Sequence, residues 1–304
     1  MPLSGARLAC LPSSPWTAQV AQDRGTGIIV VALGHRALGV FDRTYQMEDG
    51  RLSKSNAAES VATNGKLMGN EPKQSKLADF DHPLVVSTAT ELTKGQETIV
   101  GKLEKIFYFV RDEIEFSFPL KGDLVSASET IRSRRGQCNT KGCLFLALCK
   151  SIGIPARLHF SLIRKEIQRG FFTGFSYWLL PRNVSHSWIE VQVDGKWHRI
   201  DSYINDDRLH QAAVKELDRR GWQTGFSISK PPLEGDKHCN NFDLGAEQFE
   251  QMAAVTGEHG TWDEPAEYYS SPQYQNRPGP IRMFIYRLVV GGANRRVAKL
   301  REKG

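Results

Sequence analysis

Cys138 lies in the run Arg134-Arg135-Gly136-Gln137-Cys138-Asn139-Thr140-Lys141-Gly142, and His186 and Asp201 follow about fifty and sixty residues later. Those residue types are what thiol catalysis needs: a thiol that ionises, an imidazole that moves its proton, and a carboxylate that orients the imidazole. The apolar run Cys143-Leu144-Phe145-Leu146-Ala147-Leu148-Cys149 predicts a helix buried on nearly every face, ended by Gly153 and Pro155. Cys138 falls in its first turn, where unpaired N–H groups and the helix dipole favour a thiolate and lower a thiol pKa from about 8.5. Arg132, Arg134 and Arg135 add positive charge just upstream. Cys143 and Cys149, inside the helix, read as buried structural residues.

The imidazole and the carboxylate sit on elements that the turn chemistry specifies. Ser185 to Val193 reads as a strand, Asp194-Gly195 as a two-residue turn, and Lys196 to Tyr203 as the return strand. This register pairs Val193 with Lys196, Glu190 with Arg199, Trp188 with Asp201 and His186 with Tyr203. His186 and Asp201 then occupy diagonal positions on one face, about 7–8 Å apart between backbones and within side-chain reach. A slip of one residue would send them to opposite faces.

These blocks resemble the core of transglutaminase-like proteins, within the wider papain-like cysteine hydrolase architecture. The matching segments are Ser126-Ala127-Ser128-Glu129-Thr130-Ile131 leading into Arg135-Gly136-Gln137-Cys138, then Gly153-Ile154-Pro155-Ala156-Arg157, His186-Ser187-Trp188-Ile189-Glu190-Val191 and Trp197-His198-Arg199-Ile200-Asp201. The likeness runs from about Leu92 to Tyr203. It implies an α+β fold in which a buried nucleophile helix packs on an antiparallel sheet. It also implies Cys138 as nucleophile, His186 as general base and acid, and Asp201 as the orienting group. Animal transglutaminases place a Trp upstream of the Cys to stabilise the oxyanion, whereas no Trp lies between Trp16 and Trp178. The backbone N–H of Cys138 is therefore the first oxyanion donor expected, with Gln137 and Asn139 as neighbouring candidates. The aromatic run from Phe171 to Leu180 reads as core or as one wall of a cleft, which makes Tyr177, Trp178 and Trp188 candidate substrate contacts.

The expected activity is hydrolysis of a peptide or amide bond in a peptide, protein or small amide substrate, through a thioester acyl-enzyme. An acyltransferase with an amine acceptor and a catalytically inactive interaction module are the alternatives. No cofactor is expected. There is no acidic calcium loop, no Gly-x-Ser-x-Gly elbow, no phosphate loop and no His-Glu-x-x-His helix. The adjacent His238-Cys239 lacks further ligands and reads as surface loop, so no metal site is expected.

Five cysteines, three of them in or at one helix, do not resemble a secreted disulfide framework. Met1 to Trp16 has no continuous apolar core, and no apolar stretch is long enough to span a bilayer. A reducing cytoplasm is the expected setting. The formal charge is +6, and residues 281–304 carry seven basic residues against Glu302, a surplus equal to the whole. That segment is expected to pack its apolar side on the core with its charged end solvated, contact with an anionic surface being the alternative. No interleaved aromatic and basic pattern suggests nucleic-acid binding.

The expected organisation is a polar, largely irregular leader over 1–77, a catalytic domain over 78–250 and an extension over 251–304. Residues 47–77 are the most polar stretch, and Met47 or Met68 is a possible later start. Thr93 with Gln96 resembles a capping box for a helix carrying Ile99, Val100, Leu103, Ile106, Phe107, Val110 and Ile114. Gln248, Phe249, Met252 and Val255 fit a short amphipathic helix. Pro265 marks a loop or opens a helix.

Overall fold

The structure, a computed structural model, describes residues 16–23, 26–32, 44–48, 51–54, 76–230, 240–245 and 250–304. It divides into two units, Met1–Lys73 and Gln74–Gly304. In the first, β1 (Trp16–Asp23), β2 (Thr26–Ala32), β3 (Thr44–Glu48) and β4 (Arg51–Lys54) form an antiparallel sheet of order β2-β1-β3-β4. The β-branched run Ile28-Ile29-Val30-Val31 favours such a strand. These strands fall within the stretch expected to be largely irregular, and the rest of that stretch up to residue 75 lies outside the described residues. So do His238, Cys239, Gln248 and Phe249.

In the second unit, α1 (Pro83–Leu92) and α2 (Ile99–Tyr108) precede α3 (Ala127–Ser133) and the central helix α4 (Cys138–Ser151). Thr93 does not open α2, contrary to the expectation drawn from the Thr93–Gln96 pair. It ends α1, with its hydroxyl donating to the Ala89 carbonyl at 2.8 Å, while Thr98 caps α2 by accepting from the Gly101 N–H at 3.0 Å. The cause is Gly95, whose φ of +75° breaks the chain between the two helices. The π-helical turn Phe109–Glu113 continues α2. A capping box holds α3: Ser126 Oγ accepts from Glu129 N–H at 3.2 Å, and Glu129 Oε2 accepts from Ser126 N–H at 3.3 Å.

The second sheet consists of β5 (Ala156–Arg164), β6 (Asn183–Val193), β7 (Lys196–Ile200) and β8 (Val255–Trp262), all antiparallel in the order β8-β5-β6-β7. The hairpin has the expected register, with Val193 opposite Lys196 and Glu190 opposite Arg199. Asp194 and Gly195 both take positive φ, 49° and 78°, as a type I′ turn requires. The ladder stops at Ile189 opposite Ile200, so Trp188 and Asp201 are not paired within it. Met252 lies in a single 3₁₀ turn, Met252–Ala254, and Val255 begins β8.

Helix α4 lies between one sheet face and α1, α2 and α3, buried from Asn139 to Cys149. A methyl group at Gly142 would come within 2.9 Å of Tyr203 Oη, 3.0 Å of Leu158 Cδ2 and 3.2 Å of Ser187 Oγ. The glycine therefore sets how closely helix and sheet approach, and Leu158 and Ser187 mark the face that α4 covers. The short α5 (Gly174–Trp178) and α6 (Asp207–Arg220) follow the strands to which they connect. Pro265 opens a helix, α7 (Pro265–Ser270), and the last is α8 (Pro280–Arg301). Helix α8 buries Val290, Ala293, Val297 and Leu300, and Arg301 pairs with Asp206 at 2.9 Å. Ile281, Phe284 and Leu288 stay exposed. Together these elements make the expected α+β arrangement, a buried helix on an antiparallel sheet. Among the described residues no helix is long and apolar enough to cross a membrane.

Candidate active site

Three of the chain's devices place Cys138 at the start of α4. Arg134 ends α3 in the left-handed region, with φ 52°. Arg135 and Gly136 then run parallel to Glu115 and Phe116. A methyl group at Gly136 would come within 2.8 Å of Thr140 Oγ1 and 2.9 Å of Lys141 Cγ, so only glycine lets the strand meet the first helical turn this closely. Cys138 is half-buried, whereas Cys143 and Cys149 are sealed. Its sulfur lies 3.8 Å from Asn139 Oδ1, and the backbone N–H groups of Asn139 and Ser187 both act on it.

The Ser187 contact locates the thiol. Because β7 ends opposite Ile189, the β6 residues before it have no strand on their outer edge, and Cys138 sits at that edge. Ser187 points toward α4, and alternation turns His186 to the other face with Trp188 and Glu190, opposite Ser161, His159 and Arg157. Asp201 follows immediately after β7, also fully buried. Its Oδ1 and Oδ2 accept the N–H groups of Glu250 and Gln251 at 3.0 and 3.2 Å. Neither ring nitrogen of His186 has a hydrogen-bond partner.

Cys138, His186 and Asp201 are each pushed toward the neutral form. Burial pushes the Cys138 thiol up to about 12, and the Asp123 carboxylate adds to that. Burial alone holds the His186 imidazole down at about 3. Asp201 is pushed up to about 8, first by burial and then by the nearby Glu250 charge, against the pull of its backbone donors. The helix start was expected to lower the thiol pKa. In the structure the loss of solvent dominates, because the first turn of α4 is covered by neighbouring chain.

The NH2 groups of the two amides flanking the thiol are engaged elsewhere. Gln137 Nε2 donates to Asp123 Oδ1 at 2.6 Å, and Asn139 Nδ2 donates to Ser185 Oγ at 3.2 Å. Asp123 also accepts from Tyr274 Oη at 2.8 Å. Cys138 borders a small cavity of about 20 Å³. Phe118, Gln137, Gln168, Val184 and Ser185 form its walls and also those of a cleft of about 850 Å³. The aromatic run contributes Phe172, Ser176, Leu179 and Leu180 to that cleft. The expected contacts Tyr177, Trp178 and Trp188 are not in its wall. Trp178 is solvent-exposed, Tyr177 lies under the Lys165 ammonium, and Trp188 is fully buried against His159 with ring centroids 4.2 Å apart. The opposite wall, Tyr269, Tyr274, Met283 and Tyr286, comes from the last forty residues. No local motif announces those residues or Asp123. Among the described residues no three His, Cys, Asp or Glu side chains cluster as metal ligands.

An α+β fold with a half-buried thiol at a helix start beside an open strand edge defines the class. The model of the transglutaminase-like superfamily matches residues 86–202, a span that holds Cys138, His186 and Asp201. No curated protein matches the chain. Among solved structures it is similar to a candidate cysteine protease from Cytophaga hutchinsonii, at 16% identity over 64% of this chain and 46% of that one, with a TM-score of 0.38. A candidate protease from Parabacteroides distasonis matches at 14% identity, over 61% of this chain and 35% of that one, with a TM-score of 0.29. A TGase matches at 11% identity, over 60% and 43%, with a TM-score of 0.27. The chain thus spans less than half the length of each of these structures.

Proposed function

We propose that the chain is a cysteine-dependent hydrolase of a peptide or amide bond, with Cys138 as nucleophile, His186 as base and acid, and Asp201 as the orienting carboxylate. The observation that carries the reading is the contrast along α4. The only one of its three cysteines that is not sealed stands at the helix start, on a cavity that shares its walls with the large cleft. His186, whose ring nitrogens are free of hydrogen bonds, is the proton acceptor in this reading. Asp201 keeps lone pairs beyond the two that its backbone donors occupy, so it can take the imidazole N–H as well.

In this mechanism His186 turns toward the strand edge and takes the Cys138 proton. The thiolate attacks the substrate carbonyl, and the oxyanion that forms accepts the Cys138 backbone N–H. His186 returns the proton to the departing amine, leaving a thioester. Water, deprotonated by His186, then attacks the thioester, releasing the acid and restoring the thiol. Asp201 holds the imidazole and stabilises its cation. Water is the acceptor in this reading; product analysis with an added primary amine separates it from acyl transfer.

One observation favours a rival, a binding module that retains the fold: no hydrogen bond joins His186 to Asp201 in the resting structure. Alkylation of Cys138 from pH 4 to 9, read by peptide mass spectrometry, distinguishes the two. The hydrolase reading expects labelling near pH 7 that His186→Ala slows at least about tenfold. Labelling that rises only above about pH 8 and is unchanged in the variant would establish an isolated thiol, and the module.

A further inference from the structure

We propose that the 850 Å³ cleft beside Cys138 selects substrates carrying an ammonium group, which Asp123 receives at its inner end with help from Tyr269 and Asn276. This rests on Cys138 being the reacting thiol, and goes beyond that role by naming a substrate feature and the residue that reads it.

Asp123 stands between the nucleophile and the cleft. Its Oδ1 accepts from Gln137 Nε2 at 2.6 Å, on the residue before Cys138, and its Oδ2 from Tyr274 Oη at 2.8 Å. The Asn139 side chain also donates to it. Every one of these partners is a donor. The Gln137 and Asn139 amide groups can only donate to it, so the arrangement favours the carboxylate. Yet no Lys or Arg forms an ion pair with it among the described residues. Desolvation raises its pKa with no countercharge to oppose it. A half-buried, donor-bound carboxylate without a cation is left uncompensated, and a cationic ligand would supply the missing charge.

The surrounding wall points the same way. Tyr269 is buried to 5% exposure and lines the cleft, and its hydroxyl has no hydrogen-bond partner. Its ring is 4.9 Å from that of Tyr274, the Asp123 donor, in an edge-on arrangement. Asn276 Oδ1, also on the cleft, is likewise unpartnered. A carboxylate, a hydroxyl oxygen and an amide oxygen together present acceptors, which suit the three N–H donors of a primary ammonium. Tyr286, Phe118 and Phe172 supply aromatic surface of the kind that attracts a cation. The cationic side chains on the same wall are engaged or solvated. Lys121 pairs with Glu129, Arg277 donates to the Tyr269 carbonyl at 2.8 Å, and Arg282 is exposed.

The test needs no substrate. Cys138 modification is timed with 2-aminoethyl, methyl and 2-sulfonatoethyl methanethiosulfonate, each rate divided by that of free mercaptoethanol, in the wild type, Asp123→Asn and Tyr269→Phe. The expected result is a cation-over-neutral ratio of about ten or more in the wild type, with the sulfonate disfavoured. Asp123→Asn brings both ratios to about one, and Tyr269→Phe lowers the cation ratio severalfold. Asp123 also raises the thiol pKa, but that effect scales all three reagents alike and cancels in the ratio. A wild-type ratio near one, or a preference that persists in Asp123→Asn, overturns the proposal while leaving the thiol reading intact. A Cys138 that none of the reagents modifies overturns both.

Discussion

The two faces of the central sheet do different work. Toward α4 it presents Leu158, Phe160, Ile189 and Val191, all buried in one apolar core with the helix. On the other face Arg157, His159 and Ser161 stand opposite Glu190, Trp188 and His186. Even within that polar face the treatment differs. Glu190 accepts from His159 Nδ1 at 2.9 Å and Arg157 Nε at 2.8 Å. Although burial opposes ionisation, these partners draw its pKa down to about 2. Four residues earlier, His186 is equally enclosed and has no hydrogen-bond partner. The satisfied end of the face stabilises the sheet, whereas the unsatisfied end carries a desolvation cost.

The largest stability effect should come from the apolar face. Phe160→Ala, which also removes the stack on Tyr268 at 3.8 Å, is expected to cost about 3–5 kcal/mol in urea unfolding. Glu190→Ala should follow at about 2–3 kcal/mol, because it strands the buried His159 and frees Arg157. A loss below about 0.5 kcal/mol would remove the distinction between the two ends of the polar face.

The pH dependence sharpens the contrast at His186. Its folded pKa of about 3 lies below the ordinary imidazole value, so its contribution is complete above about pH 6.5 and is lost as pH falls toward 3. Between those limits wild type should lose about 1.4 kcal/mol per pH unit relative to His186→Leu. Asp201 has the opposite sign. Its pKa is raised to about 8, so its contribution is present below about pH 4 and fades as pH rises to 8. Asp201→Asn should therefore flatten the stability curve in that upper window. Urea midpoints measured at pH 4, 6 and 8 check both slopes, and parallel curves would mean that neither group is buried as described.

Gly142→Ala should cost about 1–3 kcal/mol, since the added methyl meets Tyr203 Oη at 2.9 Å where helix and sheet touch. The smallest effect is expected at Trp178, 71% exposed and outside the cleft wall, where alanine should change stability by less than about 0.5 kcal/mol.

Local chemistry made much of this legible in the sequence. The Asp194-Gly195 turn set the hairpin register through Glu190 and Arg199, and the apolar run after Cys138 marked the buried helix. Where rival local signals competed, reading was less secure: Thr93 and Thr98 are both credible caps, and only Gly95 between them shows which one opens the helix. The ladder's end at Ile200 was not legible either, because the contacts holding Asp201 come from Glu250 and Gln251, about fifty residues away.

What the sequence determined by itself is what depends on neighbours along the chain: turn geometry, strand register, the helix and the position of Cys138 at its start. Tertiary structure alone decided the charge state of the thiol and the identity of the cleft. The helix start favours a thiolate, but burial, a property of everything packed around it, drives the pKa the other way. The cleft joins Asp123 to Tyr274 across 151 residues, and no periodicity or motif links positions that far apart. Helix and turn energies act within a few residues, whereas desolvation and cavity shape are set by whichever segments the whole fold brings together.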